Sequence, residues 1–395
     1  MPEAIEIWSG IWAVIGIIVS LVLAIEFLPD YWKALVRRFR FGGTGKPDYR
    51  ALAEAYEGAE WPKQYYADLW EHMGVDWARF TAWQQRPCET TYFNFDERGL
   101  RVTINPDNID KDGVLKIYMF GGSTTVGMGA RDNATVPSYL SQKINELGTP
   151  VEIVNFAQLG HSNTQETIAF MQMLKSERHP DMVIFYDGAN EVIPTEQTGE
   201  ADSLFNEHHR DAEFNILHQS RRSDLIAYGI RAMVPRLMRR IGSVTGNKGH
   251  QLQDVTQLPG VKVESIPELS KQIATAYISN VKLAKLLAEA NDISPLFFVQ
   301  PMLFTKKIKS PHEQKYILDG AVKPQIRLEY FASAYAEIRH AVQALGDKSA
   351  VDISELFDDA DEPVYIDPFH VSERGNERIA EAMLPHVMEL IRKKG

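Results

Sequence analysis

The strongest constraint on this chain is a series of short, continuously apolar runs, each ending in small or polar residues. The runs are 115–120 (LKIYMF), 151–155 (VEIVN), 182–186 (MVIFY) and 296–299 (LFFV). Stretches this short that barely alternate read as strands buried on both faces, and helical patterns such as 164–178 separate them. The expectation is a parallel α/β sheet with helices on both faces. A fifth, shorter run falls at 350–353. About a hundred residues lie between the third and fourth runs, far more than one crossover helix requires, so a helical insert is expected at about 196–292. Within it, 224–241 reads as a helix with Ile226, Ile230, Met233, Leu237 and Ile241 on one face. Arg231, Arg236 and Arg239 lie away from that face, and Pro235 would kink the helix. Such a helix either packs on the domain or touches lipid headgroups. A second helix is expected to start at Ser265, where Glu268 completes a capping-box spacing.

Ahead of this region, residues 7–25 carry no charge. As a helix at ~1.5 Å per residue they span roughly 28 Å, near a hydrocarbon core of ~30 Å. Trp8 and Trp12 stand at one end, and Phe27, Tyr31 and Trp32 at the other, as in interfacial aromatic belts. Glu3 and Glu6 replace the cations of a secretory leader. Residues 1–28 are therefore expected to be a transmembrane anchor. No Lys or Arg precedes the span, whereas Lys33, Arg37, Arg38 and Arg40 come after it. The positive-inside rule then puts the rest of the chain in the cytoplasm; an extracytoplasmic domain is the alternative. Residues 29–110 read as a juxtamembrane extension, with a Gly/Pro linker at 41–48, mostly helical character over 49–95 and a short strand at 99–105.

The chain has 42 Lys and Arg against 53 Asp and Glu, a net charge of −11, which disfavours general binding to nucleic acid. Cys88 is the one cysteine, so neither an intrachain disulfide nor a cysteine-based metal centre can form. His208 and His209 sit beside Glu207, but adjacent residues on a loop rarely share one ion. No metal or cofactor is expected.

In an open parallel sheet, ligands sit beyond the carboxyl ends of the strands. After the first run comes Gly121-Gly122-Ser123-Thr124-Thr125-Val126-Gly127. It lacks the Lys of a phosphate loop and the spacing of a dinucleotide fingerprint, which leaves a simple turn or an exposed nucleophilic serine. After the second run, Gly160 can present a backbone N–H without side-chain obstruction. After the third, Asn190 can offer an amide donor to an oxyanion. Near the C-terminus, Asp367 and His370 stand three residues apart, just before a helix that Ser372 can cap. The Asp can orient one imidazole nitrogen while the other faces a serine.

These four segments, in this order, resemble the blocks of the SGNH/GDSL hydrolase superfamily. Ser123 in FGGSTTVG matches the first block, Gly160 in NFAQLG the second, Gly188 and Asn190 in DGANE the third, and Asp367 and His370 in DPFH the fourth. The sequence departs from the family pattern in having Gly122 where many members carry Asp, and Glu191 where they carry Asp. The resemblance implies a flavodoxin-like three-layer α/β/α fold over about 111–395. It implies ester hydrolysis without metal, with Ser123 as nucleophile, His370 as acid and base, and Asp367 as orienter. The N–H groups of Ser123 and Gly160 and the Asn190 amide would form the oxyanion hole. The expected protein is a membrane-anchored serine esterase acting on O-acyl esters of carbohydrate or lipid. An acyltransferase using the same acyl-enzyme, or a non-catalytic scaffold subunit with a membrane-protein partner, are the rival readings.

Overall fold

A computed structural model describes residues 48–106, 113–175, 179–208, 210–211, 214–215, 261–318 and 324–394, with isolated helical positions between 12 and 28. Two compact units divide the chain: 48–207 with 259–395, and 1–47 with 208–258. The first carries the sheet. No helix among the described residues is long and apolar enough to cross a membrane. The expected span at 7–25 lies mostly outside the described residues, as do the linker at 41–47 and the expected helix at 224–241.

The sheet unit opens with two short 3₁₀ turns, Tyr49–Leu52 and Glu54–Tyr56, and then α1 (Trp61–His72). The expected helical run does not continue. Instead β1 (Val75–Ala78) and β2 (Ala82–Gln85) form an antiparallel hairpin. Phe80 in its turn and Ala82, the first residue of β2, have positive φ, conformations normally signalled by Gly or Asn. The strand expected at 99–105 is also absent; only Arg101 pairs there, as an isolated bridge to Phe95.

Next come β3 (Leu115–Gly121), α2 (Ser123–Val126), α3 (Val136–Glu146), β4 (Val151–Asn155), α4 (Asn163–Met173), β5 (Met182–Asp187) and α5 (Ala189–Thr198). After the insert come α6 (Ile266–Glu289), β6 (Ser294–Val299), α7 (Pro311–Leu318), α8 (Pro324–Leu345), β7 (Ala350–Asp352) and α9 (Glu373–Lys394). The five strands are parallel in the order β4-β3-β5-β6-β7, a flavodoxin-like winding. Central β5 is buried at every position, which is why its sequence does not alternate.

Phe120, Phe185 and Phe297 stack across β3, β5 and β6 with ring centroids 5.2 and 5.1 Å apart, and Phe170 of α4 packs edge-on against the first two. Phe298, one residue on and so on the opposite face, meets His386 of α9. Asn280 of α6 donates to Thr164 of α4, and Ser270 of α6 to Ser333 of α8, so these three helices form one layer. On the other side, Lys143 of α3 pairs with Glu377 and Glu381 of α9. Thus α6, expected within the insert, is the crossover helix of the fold itself. Its N-terminal capping box does not form: Ser265 has near-helical dihedrals and its hydroxyl donates to the Lys262 carbonyl. Half of such a box occurs at the start of α4, where Gln165 Oε1 accepts the Ser162 N–H at 3.1 Å.

Candidate active site

Ser123 is the first residue of α2, one residue past Gly122 at the carboxyl end of the interior strand β3. First-turn N–H groups have no intrahelical acceptor, so the Ser123 amide is not consumed by the helix. A Cβ at Gly122 would lie 1.9 Å from the Asn190 amide nitrogen, so with Asn190 placed as it is here the position suits glycine, and a side chain there would require Asn190 to shift. Asn190 lies beyond β5 in the first turn of α5. Its Nδ2 donates to the His161 carbonyl at 2.8 Å, and the same NH₂ group carries a second donor. Gly160 adopts φ +73° in the loop after β4, a conformation that strains other residues.

His370 lies on the loop between β7 and α9. Asp367 Oδ1 accepts the backbone N–H groups of Phe369 at 2.9 Å and His370 at 2.8 Å, a local turn that bends the loop back on itself. The imidazole is thereby placed with Nδ1 2.7 Å from Asp367 Oδ2 and Nε2 2.7 Å from Ser123 Oγ. Burial alone would raise the Asp367 carboxyl. His370, Arg50 and the Phe369 N–H outweigh it and hold the carboxyl down at about 2. With Asp367 ionised, Nδ1 carries the proton and Nε2 is free to accept from the serine hydroxyl. Ser372 reaches the start of α9 by accepting from the Gly375 N–H at 3.4 Å.

The structure thus brings Ser123, Asp367 and His370 into one hydrogen-bonded chain, with Asn190 packed against the glycine before the serine. Several neighbours were not singled out from the sequence. Gln300 directly succeeds β6 and accepts from the Thr124 hydroxyl at 3.1 Å; its place at a strand end was the available signal. Trp83 of β2 flanks the second block: its indole donates to the Leu159 carbonyl, and its own carbonyl lies 3.0 Å from His161 Nε2. Burial pushes His161 down to about 4, so it stays neutral. Of the paired histidines, His208 is described and His209 is not. No cluster of three or more metal-binding side chains occurs among the described residues.

Three buried carboxyls lie behind the site. Asn163 ties two of them to the second block: its N–H donates to Glu191 Oε1 at 2.7 Å and its amide to Asp187 Oδ2 at 2.6 Å. Burial raises Asp187 to about 6, against the hydrogen bonds from Asn163 and Tyr277. Burial, then the charge of Asp187, raises Glu191 to about 8. Burial, then Asp187 and Glu191, pushes Glu166 well above the ordinary carboxyl range. Groups whose pKa is raised on folding bind more protons in the native state, so their stabilisation is present at low pH and fades as pH rises. For Glu191 the window runs from 4.5 to about 8. Stability measured by urea unfolding is therefore expected to fall across this window. Glu191→Gln, which stays neutral, should flatten the fall, and an unchanged slope would contradict the assignment.

A protein-family model described as GDSL-like lipase/acylhydrolase matches residues 117–383. No curated protein matches. Solved structures with a similar course include an esterase, EstA, from Pseudoalteromonas sp. (10% identity, 70% of this chain and 98% of that one, TM-score 0.35). A lipolytic protein of the G-D-S-L family from Veillonella parvula is 11% identical over 69% of this chain and 97% of its own, at TM-score 0.37. The lipase Lip_vut3 from a goat rumen metagenome is 13% identical over 69% of this chain and 97% of its own, at TM-score 0.38. The matched stretch runs from within β3 into α9 and includes every block of the site, and the chain belongs to the GDSL-like lipase/acylhydrolase family, as a serine hydrolase.

Proposed function

We propose that the protein is a membrane-anchored esterase that removes O-acyl groups from carbohydrate or lipid through a Ser123 acyl-enzyme. The continuous chain Ser123 Oγ–His370–Asp367, with both links at 2.7 Å, carries this reading. His370 Nε2 takes the hydroxyl proton as Ser123 attacks the ester carbonyl, then delivers it to the leaving alcohol. Water, deprotonated by the same nitrogen, releases the acid and restores the serine. Asp367 keeps the imidazole in the required tautomer and offsets its transient charge. In this reading the N–H groups of Ser123 and Gly160 and the second donor of Asn190 serve the developing oxyanion. A fluorophosphonate probe is expected to label the wild-type protein and not Ser123→Ala; equal labelling of both would refute the nucleophile. Asn190→Ala is expected to lower kcat roughly 100-fold with little change in KM, since its donor acts mainly in the transition state. An unchanged kcat would reduce Asn190 to a packing residue.

The uncharged stretch 7–25 and the cations after it support an anchor with the hydrolase unit on the cytoplasmic side. Fusions at the C-terminus decide the side: a fluorescent protein is expected to report and alkaline phosphatase to be silent, and the opposite pattern reverses the assignment.

A further inference from the structure

We propose that Arg50, outside the four blocks and ahead of the family-matched stretch, is a positioning residue for Asp367. This role rests on the reading of Ser123, His370 and Asp367 as the reacting chain. The Arg50 Nη1 lies 3.6 Å from Asp367 Oδ2, the same oxygen that faces His370 Nδ1.

Arg50 is itself held on several sides. Asp48 grips it in a fork, Oδ1 at 3.0 Å from Nε and Oδ2 at 2.8 Å from Nη2. The guanidinium lies 4.7 Å from the centre of the Tyr66 ring, and Nη1 also donates to Met128 Sδ. Trp70 fixes Asp48 in turn, donating to Oδ2 at 3.0 Å. The neighbouring tyrosines clasp the loop after Ser123: the Gly129 N–H donates to the Tyr65 hydroxyl, and the Tyr56 hydroxyl donates to the Gly129 carbonyl. With its donors engaged this way, Arg50 is placed to hold Asp367, not to bind substrate.

A cation at this position has two effects. The carboxylate is fixed in both place and charge. The cation also competes with an imidazolium for the same carboxylate oxygen and so opposes its formation. The titratable groups that interact with Asp367 are Arg50, Tyr49, Tyr56, Tyr316 and His370, and Asp48 and Tyr66 in turn flank Arg50. The tyrosines are raised by burial and Asp48 is lowered by Arg50. Removing Arg50 also leaves the Asp48 charge uncompensated, which acts in the same direction.

The test uses the full chain and p-nitrophenyl acetate. Arg50→Met is expected to lower kcat about tenfold at nearly constant KM and to move the acid limb of kcat/KM up by about one pH unit. Arg50→Lys keeps the charge and so the limb, but loses several-fold in kcat, because one ammonium cannot span both carboxylates. An Arg50→Met enzyme with the wild-type limb overturns the proposal, and so does an Arg50→Lys enzyme with wild-type kcat. The Lys variant carries the test if Met prevents folding. Ser123→Ala is assayed in parallel. Residual activity there refutes the serine mechanism itself, whereas an inactive Ser123→Ala beside unaltered Arg50 variants removes only the role of Arg50.

Discussion

Replacing Ser123 or His370 by alanine is expected to lower kcat for a short-chain ester by roughly 10⁴-fold or more while leaving the fold in place. Both side chains stand beyond the carboxyl ends of the strands, and neither side chain caps a helix or pairs with a strand. Their shared link is the 2.7 Å contact between Ser123 Oγ and His370 Nε2. Without the imidazole the hydroxyl keeps its proton and is a weak nucleophile; without the hydroxyl no acyl-enzyme forms. The two losses should not add: the double variant is expected to match either single one, because the residues act as a unit. Steady-state kinetics on purified variants with unchanged circular dichroism is the measurement. Retention of more than a few per cent of activity by either would remove that residue from the mechanism.

The second large effect concerns stability. Lys306 and Glu313 form an ion pair whose side chains are 1% and 0% exposed. Lys306 also donates to the Glu362 carbonyl. Glu313 accepts from the Ser310, Val364 and Tyr365 N–H groups, and the last two lead directly into the loop bearing Asp367. Glu313→Ala therefore strands a buried ammonium and three backbone donors at once. Breaking a buried pair from one side is expected to destabilise by about 3–5 kcal/mol. Urea unfolding of the variant checks this, and a loss below about 1 kcal/mol would contradict it. Replacing Lys306 as well, by Met, should recover part of the loss, since the charge goes but the backbone donors stay unpaired.

Strands were the most legible part of the fold, because burial on both faces leaves a local signature. The run at 182–186 became Met182–Asp187, and even the short edge strand at Ala350–Asp352 was visible. Ser123 and Asn190 stood out because each lies just beyond the carboxyl end of a strand, a matter of topology more than of motif; Asp367 and His370 stood out by their spacing ahead of the last helix. The residues just beyond β6 hold a further member by the same logic, Gln300. The hairpin β1–β2 was hidden because its turn, Arg79 to Thr81, contains neither Gly, Asn nor Pro. The Ser265 and Glu268 spacing misled in the other direction, since a capping box needs an extended cap residue and Ser265 is near-helical. Arg50 could not be read at all. Its importance lies in a partner more than three hundred positions away, and nothing in Asp48-Tyr49-Arg50 points to that partner.

The bond between Ser123 and His370 spans 247 positions. The same closure recurs around it: Arg131 pairs with Glu373, and Asn376 donates to the Ala134 carbonyl, so α9 locks onto the segment after Ser123. Loops this long close late, after local contacts and sheet pairing have formed. On the ribosome, β3, β4 and β5 emerge and can pair while the histidine is still unsynthesised. A nascent chain stalled anywhere before position 370 therefore carries Ser123 without the imidazole that bonds it.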